Sequence, residues 1–335
     1  MPSYLMLLAP SANRVYAGET ARLASSELAI SAPFATSIAP TTLAGVEYLG
    51  FEADLDPARL GDISGQSASL ALFEKTDADL LRPIELPSVD LLDDDLVTIP
   101  KYQGKTNEQF TRLLMNVTLA CIDREKEGPW QVLDPLSGRG TTLETAWMMG
   151  NEAYGVEGDT KAVEHMAAYL KTWLRRKRVK HTADMVPVRR EGKSLGRKFE
   201  AELRVDDLTL PMIVFTGDTR TSAALFGKKK FDAIVTDAPY GIVHGSSTDV
   251  RGVVGKRDRS PAGLLGEVIP VWASMLKPGG ALGLSWNTYG LAREDLAAIL
   301  EGAGLRVRAD EPFLGFAHRV DSSINRDLVV AVRPR

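Results

Sequence analysis

Residues 131–142 read QVLDPLSGRGTT: an apolar strand that ends at Asp134, a loop of small residues, and a helix that starts at Thr141. Small residues in such a loop let the backbone approach a ligand closely, as in nucleotide-binding crevices. Leu143 occupies the position of the third glycine of the dinucleotide fingerprint, and no lysine precedes Thr141 as a phosphate-binding loop requires. The stretch therefore predicts a nucleotide-type crevice and argues against hydride transfer and ATP hydrolysis.

Further strand-like segments follow this stretch and alternate with helix-like ones. The predicted strands of this series are 131–134, 153–157, 212–215, 231–237 and 281–286. Such alternation predicts a parallel sheet with helices on its faces. The chain is then expected to end on a hairpin-like pair of segments, 312–318 and 326–332.

The first hundred residues have a different pattern. A short strand, a helix and further short strands predict a small α+β unit there. Like charges and prolines give the segment 86–100 the chemistry of a linker. We therefore predict an N-terminal α+β domain, 1–95, as an RNA-positioning module, and a second domain, 96–335. With 5 Lys/Arg against 15 Asp/Glu in residues 1–100, the first domain is not expected to act alone as a phosphate clamp.

Acidic residues come directly after two of the predicted strands. Glu157 comes about twenty residues after the glycine loop, where a carboxylate can accept hydrogen bonds from both hydroxyls of a ribose. Asp218 comes after the strand 212–215 and either accepts a hydrogen bond from an adenine amine or caps the next helix. Together with the glycine loop, Glu157 predicts an adenosine ligand.

The strand 231–236 leads directly into the tetrad Asp237-Ala238-Pro239-Tyr240. An exocyclic amine of a nucleic-acid base is a weak nucleophile because its lone pair is delocalised into the ring. Hydrogen bonds from its N–H groups to Asp237 and to a main-chain carbonyl would draw it towards tetrahedral geometry, and Tyr240 would stack on the base. An activated methyl group then needs in-line alignment, which is worth up to roughly 7–11 kcal/mol.

In these motifs the chain resembles the THUMP-associated tRNA guanine-N2 methyltransferases, from about residue 99 to residue 334. The resemblance rests on the segment KYQGKTN at 101–107, the glycine loop after Asp134, the tetrad and the ending 318–333. It implies a class I, Rossmann-like methyltransferase fold, with a mostly parallel seven-stranded sheet, an antiparallel C-terminal strand and a small ferredoxin-like N-terminal domain. It also implies S-adenosyl-L-methionine as cofactor and methylation of RNA, most simply tRNA, at guanine N2.

The resemblance also implies roles for individual residues. The residues expected to bind the cofactor are Thr106, Asn107, Asp134, Gly138, Gly140, Thr141, Glu157 and Asp218. The residues expected to hold the target base are Asp237, Ala238, Pro239 and Tyr240. Two features depart from the family: Ala238 stands where proline is usual, and about 95 residues are too few for a complete THUMP module.

Basic charge is concentrated in residues 171–200, with 11 Lys/Arg against 3 Asp/Glu. These side chains either track a phosphate backbone or belong to a solvated insertion. The stretch 241–261, directly after the tetrad, is expected to be a lid over the base. The residues expected to contact nucleic acid are Arg175, Arg176, Lys177, Arg178, Arg251, Lys256 and Arg257.

Composition limits the remaining alternatives. The sequence contains no run of about 18 apolar residues, the length that spans a membrane. A lone cysteine, Cys121, excludes a disulfide within the chain and a multi-cysteine metal site. We expect a cytoplasmic protein without a bound metal. Three other functions stay open: methylation of DNA at adenine N6 or cytosine N4, carbon-5 methylation of a pyrimidine with Cys121 as nucleophile, and RNA binding without catalysis.

Overall fold

The computed structural model describes residues 1–11, 14–76, 80–190, 193–239 and 261–335. Tyr240 of the tetrad, the basic residues Arg251, Lys256 and Arg257, and nearly all of the expected lid lie outside the described residues. None of the helices in the described ranges combines the length and apolar character that crossing a membrane requires.

The N-terminal part is a five-stranded antiparallel sheet with helices α1 and α2. Its elements are β1 (Ser3–Leu8), α1 (Arg14–Ser31), β2 (Thr36–Leu43), β3 (Val46–Glu52), α2 (Pro57–Ser64), β4 (Ser69–Lys75) and β5 (Leu81–Ile84). The strands lie in the order β2-β3-β1-β4-β5, and all neighbours are antiparallel. The sequence of elements βαββαβ is that of a ferredoxin-like unit, as predicted, with β5 added at one edge.

The remainder of the chain builds a large mixed sheet with helices around it. Its first elements are α3 (Asp95–Thr98), α4 (Glu108–Leu119), β6 (Gln131–Asp134), α5 (Thr141–Met148), β7 (Glu152–Glu157), α6 (Thr160–Arg176), β8 (Lys180–Arg190), β9 (Lys193–Val205) and β10 (Leu208–Thr216). Its later elements are α7 (Ser222–Phe226), β11 (Phe231–Asp237), α8 (Pro261–Met275), β12 (Leu276–Asn287), α9 (Arg293–Gly302), β13 (Arg306–Val307), β14 (His318–Arg319) and β15 (Asn325–Val332).

Seven strands form the centre of this sheet, in the order β10-β7-β6-β11-β12-β15-β13. The first five are parallel to one another, and β15 is antiparallel to β12. The seven-stranded, mostly parallel sheet with an antiparallel C-terminal strand is therefore confirmed. The complete sheet is larger than predicted, because the hairpin β8–β9 adds two strands beside β10, and β14 pairs with β15, giving ten strands.

Of the two segments expected to pair at the end of the chain, 326–332 is a strand within β15, whereas 312–318 is not a strand. Residues Glu311–Leu314 form a 3₁₀ turn, and of the segment 312–318 only His318 enters a two-residue strand against β15. Pro312 stands in the first turn of the 3₁₀ segment. A proline lacks the N–H that a strand ladder needs and fits the first turn of a helix, which explains the difference.

The N-terminal helix α1 packs directly on the second part of the chain. Tyr16 and Leu23 of α1 share one buried cluster with Phe110 of α4. Glu27 of α1 is fully buried and accepts hydrogen bonds from the Ser67 N–H (2.9 Å) and from the Asn116 amide of α4 (2.7 Å). Burial raises the pKa of Glu27. The two predicted domains thus share an apolar and polar interface, and their division near residue 95 stays a prediction.

Candidate active site

A cleft of about 280 Å³ opens where β6 and β11, adjacent in the sheet, reach their carboxyl ends. In open α/β sheets, ligands bind at this edge because the loops that leave the strands diverge there. The residues that line the cleft are Tyr102, Gly104, Thr106, Asp134, Leu136, Ser137, Gly138, Arg139, Thr141, Thr142, Asp237, Ala238 and Pro239. The fold thus brings the glycine loop and the first three tetrad residues together.

Asp134 ends β6 and lies at the base of the cleft, 2% exposed. Its Oδ1 accepts hydrogen bonds from the Thr236 hydroxyl (2.7 Å) and from the Leu136 N–H (3.0 Å). Burial raises the pKa of Asp134 to about 7, and the nearby Glu157 acts in the same direction. Thr236 belongs to β11, so this hydrogen bond joins the two strands whose ends form the cleft.

The glycine loop turns sharply between β6 and α5. Gly138 and Gly140 both have positive φ, +52° and +92°. A Cβ at Gly140 would lie 2.4 Å from the Met166 sulfur, whereas a Cβ at Gly138 would have nothing within 4 Å. Glycine is therefore required at Gly140 by both conformation and space, and Gly138 leaves open room on the side of the cleft that it lines.

Glu157 fixes the glycine loop from the neighbouring strand β7. Its Oε2 accepts a hydrogen bond from the Gly138 N–H and its Oε1 one from the Asp159 N–H, both at 2.7 Å. Each carboxylate oxygen keeps a second lone pair, so the carboxylate can still accept from vicinal hydroxyls. Glu157 does not line the described cleft itself; it supports the loop that does.

The segment 101–107 crosses the cleft on the side of α4 and contacts both of its halves. The Tyr102 hydroxyl hydrogen-bonds the Thr141 hydroxyl at 2.8 Å, and the Arg139 guanidinium lies 4.9 Å from the centre of the Tyr102 ring. Lys105 is buried and contacts the carboxylate of Glu108. This segment, which the sequence marks only as a motif, therefore joins the glycine loop to the base of α4.

Asp237 ends β11 with its side chain 16% exposed. Its Oδ2 accepts a hydrogen bond from the Thr106 hydroxyl at 2.5 Å, and its Oδ1 accepts one from the Ser285 hydroxyl of β12. The Arg326 guanidinium, at the start of β15, lies 4.0 Å from Oδ2. Two hydroxyl groups thus orient the carboxylate oxygens of Asp237, and a guanidinium lies beside them.

Arg326, which lies beside Asp237, is buried against an aromatic ring. Its side chain is 6% exposed, and its guanidinium lies 4.6 Å from the centre of the Phe110 ring. The neighbouring His318 carries no charge near neutral pH, because burial lowers its pKa to about 4. Arg326 therefore brings positive charge to the cleft from the amino end of the antiparallel strand.

Ala238 shows how this chain manages without the usual proline of the tetrad. Its N–H donates a hydrogen bond to the Ser285 carbonyl at 2.8 Å, and its methyl group is buried, 2% exposed. A proline has no N–H and cannot make this hydrogen bond. The backbone after Asp237 is thus held by a hydrogen bond to β12.

Two predicted cofactor residues act as helix caps. Asn107 caps α4 by accepting from the Phe110 N–H at 3.0 Å, while its amide donates to the Ser11 hydroxyl at 3.2 Å. Asp218 caps the 3₁₀ turn Thr219–Thr221 by accepting from the Arg220 N–H at 2.9 Å. Neither lines the described cleft, and their contact with a cofactor stays a prediction.

The basic run Arg175–Arg178 lies at the far end of α6. That helix leaves β7 at the edge of the cleft and runs for 17 residues, about 25 Å, towards the opposite edge of the sheet. Lys177 pairs there with Asp93 (2.7 Å) and Asp95 (2.6 Å). The fold therefore does not bring this run together with the cleft, and its nucleic-acid contact stays a prediction.

Cys121 also lies away from the cleft. It comes just after the end of α4, a 12-residue helix of about 18 Å whose beginning is next to Thr106. The thiol is buried among core residues, and burial raises its pKa to about 12. A nucleophilic cysteine needs a lowered pKa and access to the base, so this position does not suit carbon-5 chemistry.

Three residues of the site, Ser285, Arg326 and Thr236, were not predicted from the sequence. Ser285 stands at the carboxyl end of β12, next to β11, and the rule that points to strand ends could have found it. Arg326 is a cation near the start of β15, before the apolar run 328–332 of that strand. Thr236 precedes Asp237 in the same predicted strand and gave no separate signal.

Several solved structures are similar to this chain at low sequence identity. No protein-family model matches the chain, and no curated protein matches it. The chain is similar to the solved structure of TrmN from Thermus thermophilus, with a TM-score of 0.41 and 15% identity over 88% of this chain and 59% of that chain. It is similar to the magnesium protoporphyrin IX methyltransferase ChlM from Synechocystis with bound SAM, with a TM-score of 0.41 and 14% identity over 69% of this chain and 86% of that chain.

A third similar structure is the Thermus thermophilus 16S rRNA N2 G1207 methyltransferase RsmC in complex with AdoMet and guanosine. Its TM-score is 0.38, with 17% identity over 88% of this chain and 58% of that chain. The chain thus spans just under three fifths of the length of TrmN and of RsmC. With scores this low, the likenesses carry no weight for substrate or mechanism, which depend on the side chains of the cleft.

The fold and the cleft together define the class of the protein. A parallel sheet in the order β10-β7-β6-β11-β12, completed by the antiparallel β15 and by β13, is the class I, Rossmann-like methyltransferase fold. Its glycine loop comes after the first strand of the series, and its acids Glu157 and Asp237 stand at strand ends on the same edge.

Proposed function

We propose that this chain is an S-adenosyl-L-methionine-dependent methyltransferase that modifies an exocyclic amine of a nucleic-acid base. Within that class we propose guanine N2 of RNA, with tRNA as the kind of RNA that the sequence resemblance implies. The observation that carries the proposal is the carboxylate of Asp237, which lines the same cleft as Gly138 and Thr141. An amine acceptor and a nucleotide-type loop thus share one cavity.

The residues present fit the cofactor. Gly138 leaves open room beside the cleft, and Glu157 presents a carboxylate whose two oxygens are already oriented by backbone N–H groups. Gly138, Gly140 and Thr141 would hold the methionine part, and Glu157 would accept from the ribose hydroxyls. When bound, the cofactor supplies a methyl group on a positively charged sulfur, which is already activated towards attack.

The chain's own contribution is to bind and orient the amine. Asp237 accepts a hydrogen bond from one N–H of the amine, which raises the electron density on nitrogen as the new N–C bond forms. The bound cofactor would supply the methyl group and keep the electron pair of the broken methyl–sulfur bond, and Asp237 would take up the surplus proton of the nitrogen. Thr106 and Ser285 hold the carboxylate in place, so little reorientation is needed during the reaction.

The test is transfer of labelled methyl groups from S-adenosyl-L-methionine to total RNA and to genomic DNA, with identification of the modified nucleoside. The variants are Asp237→Asn, which keeps the shape of the side chain, and Asp237→Ala. We expect label in N2-methylguanosine, and a loss of about 10²–10⁴ in kcat for Asp237→Asn with unchanged cofactor affinity. Asp207→Asn, on the exposed turn between β9 and β10 at the opposite edge of the sheet, is the matched control.

Each other result has a definite meaning. Label in DNA but not in RNA replaces the RNA proposal by amine methylation of adenine or cytosine. Label at carbon 5 of a pyrimidine overturns the amine mechanism. Cofactor binding without transfer to any nucleic acid favours an RNA-binding protein without catalysis, and full activity of Asp237→Asn removes Asp237 from the chemistry.

A further inference from the structure

The β8–β9 hairpin projects beyond the edge of the sheet at which the cleft lies. β9 pairs with β10 as far as Phe215 opposite Lys198, and the Arg197 N–H then donates to the Thr216 hydroxyl at 2.9 Å. Past this point β8 and β9 pair only with each other, as far as Arg190 opposite Lys193. At about 3.3 Å per residue, the hairpin extends roughly 10 Å past the carboxyl edge.

The point at which the hairpin separates from the end of β10 sets the direction in which it projects. Gly196 has a φ of +107°, and a Cβ there would lie 2.9 Å from the Thr216 hydroxyl oxygen. The register of the hairpin shifts between Val188 and Arg189, beside this glycine. A bulge of this kind bends a strand and re-aims the residues beyond it. The projecting backbone is therefore directed by a specific contact with the end of β10.

Charge is distributed unevenly along the hairpin. Residues 186–198 contain five basic residues, Arg189, Arg190, Lys193, Arg197 and Lys198, and one acid, Glu191. Near the junction, Arg197 pairs with Glu164 at 3.0 Å and Lys198 with Glu200 at 2.9 Å. The surplus of positive charge thus stands at the far end of the projection, where Arg189 is exposed.

The other end of the hairpin is nearly balanced. Its basic residues Lys180 and Arg204 stand opposite each other in register, among the acids Asp184, Glu200 and Glu202. Arg204 pairs with Glu202 at 2.8 Å. The basic sequence 171–200 is therefore divided by the fold: one part lies at the end of α6, and the other projects at the edge of the cleft.

We propose that the projecting part of the hairpin, residues 186–190 and 193–198, is an arm that contacts the phosphate backbone of the RNA whose base enters the cleft. This proposal rests on the proposed function. β9 is four strands from β11, or about 19 Å at the usual strand spacing of roughly 4.8 Å. That distance is shorter than one turn of a nucleic-acid duplex, about 34 Å. A backbone near Asp237 can therefore reach the arm without bending.

The experiment compares two double variants of the full chain. Arg189→Ala with Arg190→Ala removes two charges from the arm, and Lys180→Ala with Arg204→Ala removes two charges from the other end of the same hairpin. Affinity for tRNA is measured at several salt concentrations without turnover, and KM is measured for RNA and for S-adenosyl-L-methionine. Replacing Arg189 and Arg190 by lysine keeps the charge and tests whether charge alone matters.

We expect the arm variant to bind tRNA about 10–30-fold more weakly than the unmodified protein at 0.1 M salt. The negative slope of log K against log salt should become shallower by about 1.4, the value for two phosphate contacts on a single strand. The lysine variant should bind like the unmodified protein, and the KM for the cofactor should not change. The control double variant should differ from the unmodified protein by less than twofold.

Several results would overturn the arm. These are an unchanged salt slope, an equal loss in the control variant, and no measurable tRNA binding by the unmodified chain at low salt. A fourth is an arm variant that binds polyglutamate more weakly while its RNA binding is intact, because that result indicates an acidic protein partner. The two proposals fail separately. Methyl transfer to RNA with an unchanged slope removes only the arm, whereas arm-dependent binding without transfer removes only the catalytic proposal.

Discussion

The substitutions Gly140→Ala and Gly138→Ala each add one methyl group to the glycine loop, at two positions whose surroundings differ. Both glycines have positive φ, so both substitutions strain the backbone. Only at Gly140 does the new Cβ meet another atom, the Met166 sulfur at 2.4 Å and its Cγ at 3.0 Å. Met166 is 1% exposed and belongs to the main buried cluster. The comparison therefore separates backbone strain from steric overlap.

The size of each effect can be worked out from these contacts. A left-handed conformation costs alanine about 1–2 kcal/mol. Overpacking adds about 1–3 kcal/mol at Gly140, because the close-packed core has no space into which Met166 can move. We therefore expect Gly138→Ala to lower the free energy of unfolding by about 1–2 kcal/mol and Gly140→Ala by about 2–5 kcal/mol. Gly138→Ala should also weaken cofactor binding, because Gly138 lines the cleft.

Urea denaturation measures both values, and a double-variant cycle tests their cause. Met166→Ala removes the atoms that overlap the new methyl group, so in its presence Gly140→Ala should cost about as little as Gly138→Ala. The interaction energy between the two sites should then be about 1–3 kcal/mol. Equal costs at the two glycines, or an additive cycle, would refute the steric reasoning.

Three further predictions concern single side chains. Burial raises the pKa of Asp134 from an ordinary value of 3.8 to about 7, so the folded form favours the protonated carboxyl group and stability falls as the pH rises from about 4 to 7. Roughly 3 kcal/mol of this fall lies between pH 5 and pH 8, and Asp134→Asn should remove it in urea unfolding at those two pH values. Ala238→Pro removes the N–H that donates a hydrogen bond to the Ser285 carbonyl, so the free energy of unfolding should fall by about 1–3 kcal/mol in thermal or urea denaturation. Ala238→Ser keeps the N–H and serves for comparison. Gly18 lies exposed within α1 with no atom within 4 Å of an added Cβ, so Gly18→Ala should stabilise the protein by about 0.5–1 kcal/mol, and a loss of stability in calorimetry would contradict this.

The sequence revealed those parts of the site that depend on local order along the chain. Asp134, Glu157 and Asp237 each end an apolar strand, and the carboxyl ends of parallel strands meet at one edge. Ser285 and Arg326 depend instead on which strands become neighbours of β11 and β12. Arg326 in particular stands at the beginning of β15, because an antiparallel strand presents its amino end at that edge.

The basic segment 171–200 shows what could not be predicted from local order along the chain. Eleven Lys/Arg within residues 171–200 suggest one surface. The fold divides them, because α6 carries the first group away from the edge of the cleft and β8 then returns along the whole sheet to that edge. Within the hairpin, residues 199–205 of β9 read FEAELRV and alternate apolar and charged side chains, as a strand does. The high charge of the whole segment hid this pattern.

The segment 101–107 connects the two chemical halves of the cleft. Tyr102 holds the Thr141 hydroxyl beside the glycine loop, and Thr106, four positions later, holds the carboxylate of Asp237. Asn107, the next residue, caps α4 and so fixes where the segment ends. A displacement of this segment therefore changes the glycine loop and the orientation of the Asp237 carboxylate together. Because in-line transfer needs the methyl group and the amine aligned with each other, one segment that contacts both sides is a direct way to keep them in register.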